Sequence, residues 1–330
     1  MNLERMGLVS LVAALLAGSA TAGPSGYHIV DRIPGPDGGW DYASYDPASD
    51  QVFVARSKAV SAFNLKTRQV SGDIAPADRG HAALVARGQL IVTNGTSGAV
   101  AFFDPQTGAP LTSVAVGSNP DYALVDPRSG LLLVMNHTGG DVVEVSLDDH
   151  LVTRRIAVGG ALEAAVLDGH GRAYVNIEDK NQIAVLDLAG QKVVARYDLK
   201  DCDGPTGLAY TGRDLVVACD GAAEIIKAEN GALLARIRVG EGADGVAYDP
   251  GSKLAFIPSG KTGTLSILKV DGRLTTLFDT IVTAVSARTL ALDPATGRIF
   301  LPYAAYGPPV TAGGRPGLKP GSFNLLVLAP

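Results

Sequence analysis

Pro120-Asp121-Tyr122-Ala123-Leu124-Val125-Asp126-Pro127 reads as a polar residue, a short apolar strand and an Asp-Pro turn. The phrase returns as Trp40-Asp41-Tyr42-Ala43-Ser44-Tyr45-Asp46-Pro47, as Ala243-Asp244-Gly245-Val246-Ala247-Tyr248-Asp249-Pro250 and as Ala287-Arg288-Thr289-Leu290-Ala291-Leu292-Asp293-Pro294. Weaker copies begin at Gly80-His81, Leu162-Glu163 and Pro205-Thr206. Counted from the second residue of each of the seven copies, the spacings are 40, 40, 42, 43, 38 and 44 residues. A repeat of this length made only of strands predicts propeller blades, because one four-stranded sheet cannot bury both its faces alone. The expected fold is an all-β, seven-bladed β-propeller.

The rest of the chain fits that frame. Second strands such as Leu131-Leu132-Leu133-Val134-Met135-Asn136 are followed by glycine-rich turns and third strands such as Asp141-Val142-Val143-Glu144-Val145. Their alternation has the period of two expected of strands, and no segment carries a convincing helical stripe. The strand Tyr27-His28-Ile29-Val30-Asp31-Arg32-Ile33 precedes the first blade, while Phe323-Asn324-Leu325-Leu326-Val327-Leu328-Ala329 has nothing after it. The N-terminal strand is therefore expected to supply the fourth strand of blade seven, closing the ring and pairing edges that would otherwise invite aggregation. A Gly/Pro-rich insertion, Gly307 to Gly321, interrupts blade seven, and loops of this kind are often binding loops.

Residues 1–22 read as a cleaved secretory signal: Arg5 in the n-region, the apolar run Leu8–Leu16, and Ala20-Thr21-Ala22 before Gly23. The expected product is one propeller domain, 23–330, periplasmic or secreted, without a transmembrane segment and monomeric. A formal net charge of −5 argues against general binding of nucleic acid or anionic membrane, which need a positive field. Cys202 and Cys219 both fall in blade five, at points a propeller brings to one face. An oxidising compartment makes a disulfide open to them, with two separate thiols as the alternative. A Cys-Cys metal pair lacks a nearby third ligand.

The phrases Ile91-Val92-Thr93-Asn94 and Tyr174-Val175-Asn176, each followed by a turn and an apolar strand ending in Asp104 or Asp187, resemble the repeat signature of YVTN-type β-propellers. Asp126-Pro127-Arg128-Ser129-Gly130 and Asp293-Pro294-Ala295-Thr296-Gly297-Arg298 resemble that family's turn between first and second strands. The chain looks like an exported, YncE-like member. The resemblance implies fold more than function: relatives include binding proteins, one of which binds single-stranded DNA, and the wider superfamily includes redox-enzyme propellers.

First strands of a propeller line the central channel, and by register Asp41, His81, Asp121, Glu163, Thr206, Asp244 and Arg288 crowd its mouth. Four carboxylates sharing one mouth repel and raise at least one pKa unless Arg288 or a bound cation compensates. Hard cations would favour the carboxylate oxygens; zinc or copper would favour His81 with Asp121, Glu163 and Asp244. Polar residues are also ordinary in a wet channel. Loops opening on the same face add Asn136, His137, Glu178, Lys261, Tyr303 and Tyr306, and Trp40 beside Asp41 would suit a stacking platform. His28, His150 and His170 are expected to be solvated.

No G-x-S-x-G elbow, H-E-x-x-H, P-loop or C-x-x-C-H occurs. The leading expectation is a non-enzymatic binding protein taking a small polar ligand, a divalent metal ion or an envelope protein partner at the mouth. The alternatives are a metal-dependent hydrolase of lactones or esters, and single-stranded nucleic-acid binding suggested by the resemblance alone.

Overall fold

The computed structural model describes residues 23–272, 274–309 and 316–330. The expected leader, 1–22, lies outside the described residues. Among the described residues there are seven sheets of four strands each plus one two-stranded ribbon, all antiparallel between neighbours. Blade three runs outward from the channel as Pro120–Val125, Leu131–Asn136, Asp141–Ser146 and Val152–Ala157. Blade seven is built from both chain ends, in the order Ala291–Asp293, Arg298–Tyr303, Asn324–Ala329 and His28–Pro34. The N-terminal strand pairs with the C-terminal one in a register running from His28↔Ala329 to Pro34↔Asn324. Of the blade-seven insertion, the described ends pair as a ribbon, Tyr306–Pro309 with Pro316–Leu318.

The turn in the repeated phrase has a local cause. Asp126 accepts from the Arg128 and Ser129 backbone N–H groups at 3.0 and 3.3 Å and from the Ser129 hydroxyl at 2.8 Å. Asp46, Asp249 and Asp293 do the same for the residues two and three places on. The carboxylate offers the backbone a turn in place of a ladder, which ends the strand where the repeat requires.

The core lies between blades. At the closure, Ile33, Phe300, Phe323 and Leu325 of blade seven pack with Trp40, Val52, Val54 and Phe63 of blade one. Trp40 is only 6 % exposed and meets Phe323 edge-on at 5.2 Å. The blades are also stitched near the channel by side chains reaching a neighbour's backbone. Thr93 Oγ1 donates to the Asp121 carbonyl at 2.9 Å, Asn176 Nδ2 to Thr206 O at 2.9 Å, Thr206 Oγ1 to Ala243 O at 3.2 Å and Thr289 Oγ1 to Asp41 O at 2.7 Å. Thr289→Val keeps the shape and orphans the Asp41 carbonyl at the ring closure. Its expected cost is about 1–2 kcal/mol, read as a shifted denaturant midpoint; an unmoved midpoint would mean the bond adds nothing to closure.

Cys202 and Cys219 are disulfide-bonded, with Cα atoms 5.1 Å apart. The bridge ties the segment leading into blade five to the end of the strand Asp214–Cys219.

Candidate functional site

Two kinds of first strand surround the channel. In blades one to four the pairing slips by a β-bulge at the start of the phrase, between Trp40 and Ala43, Gly80 and Ala83, Pro120 and Ala123, and Leu162 and Ala165. Asp41, His81, Asp121 and Glu163 sit in these bulges. A bulge leaves a residue out of the ladder and re-aims its side chain, here toward the mouth. In blades five to seven the first strand begins later, at Leu208, Ala247 and Ala291, so Thr206, Asp244 and Arg288 lie on the lead-in.

The ring accordingly divides. On the bulged side, His81 Nδ1 lies 2.7 Å from Asp41 Oδ2 and 3.6 Å from Asp121 Oδ1. His137 follows the second strand of blade three and leans over blade four, placing Nδ1 3.0 Å from Glu163 Oε1. That nitrogen is sealed from solvent against the Glu163 carboxylate. The Tyr42 hydroxyl donates to Glu163 Oε2 at 3.2 Å from below. On the other side Arg288 Nε donates to Asp244 Oδ2 at 2.7 Å, its Nη2 donates to the Trp40 carbonyl at 2.7 Å, and Asp41 Oδ1 is 3.8 Å away. The guanidinium also lies 5.6 Å from the Trp40 ring. Trp40 is thus a wedge in the seam between blades one and seven rather than an open stacking surface.

The charges behave as crowding demands. Burial pushes the Asp121 carboxyl up to about 8, with Glu163 and Asp41 adding to the rise. Burial raises Asp244 to about 6, the Arg288 charge holding it below what burial alone would give. Burial would lower His81, but the Asp41 contact and the Asp121 charge outweigh it and the imidazole is raised. The adjacent Glu163 carboxylate raises His137. Burial, then Glu163 and Asp121, hold the Tyr42 phenol far above its ordinary range, so it stays a donor. Asp244 keeps some accessible surface because it borders the channel, although protein surrounds it.

Beneath the ring, Tyr42 and Tyr122 meet edge-on at 4.9 Å and narrow the channel to a cavity of about 110 Å³. Beside the ring, over blades five to seven, a cavity of about 610 Å³ is lined by Glu178, Asp220, Asp244, Lys261, Arg288 and Tyr306 among others. Lys261 Nζ is held 2.6 Å from Asp220.

Of the four ligands expected for a metal, His81, Asp121 and Glu163 converge, with Asp41 and His137 beside them, while Asp244 is matched to Arg288. Asn136 is fully buried, its amide donating to Val116 O at 2.9 Å and Asp141 Oδ1 at 2.8 Å, so it serves the turn of blade three. Thr206 stitches blades five and six. Tyr303 packs between blades six and seven, while Tyr306 is half exposed at the mouth cavity. His150 is not simply solvated: it packs edge-on against Phe102 at 4.6 Å and bonds Gln89 Oε1 at 2.7 Å. His137 was legible only as one of many loop residues. Its juxtaposition with Glu163 follows from how blade three's loop overlies blade four.

Among the described residues no helix is long and apolar enough to cross a membrane. No protein-family model matches the chain, and no curated protein does. Among solved structures it is similar to a chain of the "Crystal Structure of Mitotic Checkpoint Complex", with TM-score 0.72, 15 % identity, and 97 % of this chain and 98 % of that one covered. It is also similar to Kuenenia stuttgartiensis Hydrazine Synthase, with TM-score 0.69, 17 % identity, and 87 % and 96 % of the two chains covered. At such identities the likeness speaks for the fold, and with the sheet order it establishes a seven-bladed β-propeller.

Proposed function

We propose that this chain is an exported, YncE-like binding protein whose propeller mouth takes a small polar ligand bearing positive charge, a divalent metal ion above all. One observation carries the reading: Asp41, His81, Asp121, His137 and Glu163 converge, and Arg288 reaches only the Asp41 edge of that group, its stronger bond being to Asp244. A cation would take the place of the protons that otherwise offset the carboxylate repulsion in this half of the ring. Export is supported by the pattern of residues 1–22, and the family by the YVTN-like phrases. The acidic mouth and the net charge of −5 weigh against a nucleic-acid ligand.

Calorimetric titration of purified 23–330 tests it, with divalent metals, small amines, nucleotides and single-stranded oligonucleotides as probes. Heat is expected with a cation and none with oligonucleotide; silence with every class sinks the reading. The adjoining cavity of about 610 Å³ supports a second reading, a metal-dependent lactone or ester hydrolase, because it gives an organic substrate room beside the carboxylates. Turnover of such an ester that stops with chelation and returns with metal would favour that reading.

A further inference from the structure

We propose that the mouth is a paired metal centre in which the Asp121 carboxylate bridges two ions. The first ion takes Asp41, His81 and Asp121; the second takes Asp121, His137 and Glu163. This rests on the reading of the mouth as a cation site and adds to it the number of ions, their ligands and their chemical class.

Within each set the ligand atoms lie within 4.8 Å of one another, and Asp121 is common to both. Ligands around one ion at about 2.1 Å stand roughly 3–3.5 Å apart, so for the sets to close Asp41 and His81 must part from their 2.7 Å contact while the wider pairs draw together. Some separations are already there: His81 Nδ1 to Asp121 Oδ1 is 3.6 Å, and His137 Nδ1 to Glu163 Oε1 is 3.0 Å. The His137 nitrogen is also buried against the Glu163 carboxylate.

The surroundings suit ligands held in place. The Tyr42 hydroxyl bonds the Glu163 oxygen that does not face His137. The Asp41 and Asp121 carbonyls are pinned by Thr289 and Thr93. The second His81 nitrogen, Nε2, is buried without a partner, and so is Asn119 Oδ1. The two flank Gly95, where an added Cβ would meet them at 2.9 and 2.5 Å. No hydrogen bond joins the two, so the second imidazole nitrogen beside the first ion's ligand atom is still open to a partner.

Ligand chemistry narrows the metal. Each set offers one imidazole and two carboxylates. Neither contains a thiolate, and both cysteines are tied up in the disulfide. That donor set suits zinc or manganese-class divalent ions, rather than soft copper(I) or calcium, which prefers oxygen alone. Three protein ligands per ion leave coordination positions for solvent or an added ligand, the arrangement of working rather than purely structural metal sites.

The test is stoichiometry on protein 23–330 stripped with EDTA. Zinc titration followed by elemental analysis after desalting is expected to give two equivalents per chain. His81→Gln and His137→Gln should each leave one, Asp121→Asn should weaken both at least tenfold, and the control His170→Gln, at an exposed turn, should leave two. Manganese(II)-loaded protein should show the spin-resonance signal of an exchange-coupled pair. One equivalent in the wild type, or a signal of isolated ions at full loading, overturns the paired centre while the mouth remains a cation site. No binding at all sinks both. The wild-type stoichiometry and spectrum need no variant, so a substitution that fails to fold leaves the test intact.

Discussion

Asp121→Asn is expected to stabilise the metal-free protein at alkaline pH while destroying its affinity for cations. Asp121 is 6 % exposed, and its carboxyl is raised to about 8 by burial and by the charges of Glu163 and Asp41. An unfolded aspartate titrates near 3.9. Between those values the folded state holds a proton that the unfolded state has lost. Its contribution is therefore greatest at low pH and is lost as pH rises toward about 8, the reverse of an ordinary paired aspartate. The slope for one such group has a ceiling of about 1.4 kcal/mol per pH unit, and sharing of charge with its neighbours reduces it. Asparagine removes the ionisation and keeps the shape. Denaturant midpoints in EDTA at several pH values should fall for the wild type between pH 5 and 8, and fall less for Asp121→Asn. The variant is expected to be more stable at pH 8 by a few kcal/mol, on the order of the integrated shift. A variant less stable than the wild type at pH 8 would show that the buried charge is already compensated. Asp244, raised to about 6 by burial, adds a slope of the same sign that both proteins share.

Removing the disulfide has the second large effect. Cys202 and Cys219 are 17 residues apart, and opening a loop of that size costs about 3 kcal/mol in the chain-entropy model. The loss should also reach the mouth, because the clamped segment carries Asp203 and Gly204 into the lining of the large cavity. Fewer bonds would then hold it: Gly204 N–H to Asn181 Oδ1 at 3.2 Å and Asp220 N–H to Asp203 O at 3.1 Å. The double variant Cys202→Ser/Cys219→Ser should lower the unfolding free energy by about that amount and be indifferent to reductant. The wild type should drop to the same level once reduced. A wild type that keeps its midpoint under reducing conditions that open the bridge contradicts this.

Much of the fold could be read directly. Strand alternation and Asp-Pro turns are short-range: the Asp126 carboxylate needs only Arg128 and Ser129 to make its turn. Repetition every 38 to 44 residues then leaves a ring as the way to bury both faces of each sheet. Closure was legible too, since one surplus strand at the start answered one missing at the end. The site was legible only as a set of repeat-equivalent positions. Register placed seven residues at one mouth, but it treats all seven alike.

What the sequence by itself determined is the periodic part: seven sheets, their turns, the closing strand and the polar ring of Asp41, His81, Asp121, Glu163, Thr206, Asp244 and Arg288. The tertiary structure decided which of these face one another. Bulges in four blades turn Asp41, His81, Asp121 and Glu163 inward. Arg288 meets Asp244 and the Trp40 carbonyl, the latter across 248 residues of chain. His137 reaches Glu163 from a neighbouring blade's loop. The physical reason is range: a strand and its turn are set by residues two to four places apart, whereas pairing of charges across a channel depends on where closure brings distant blades.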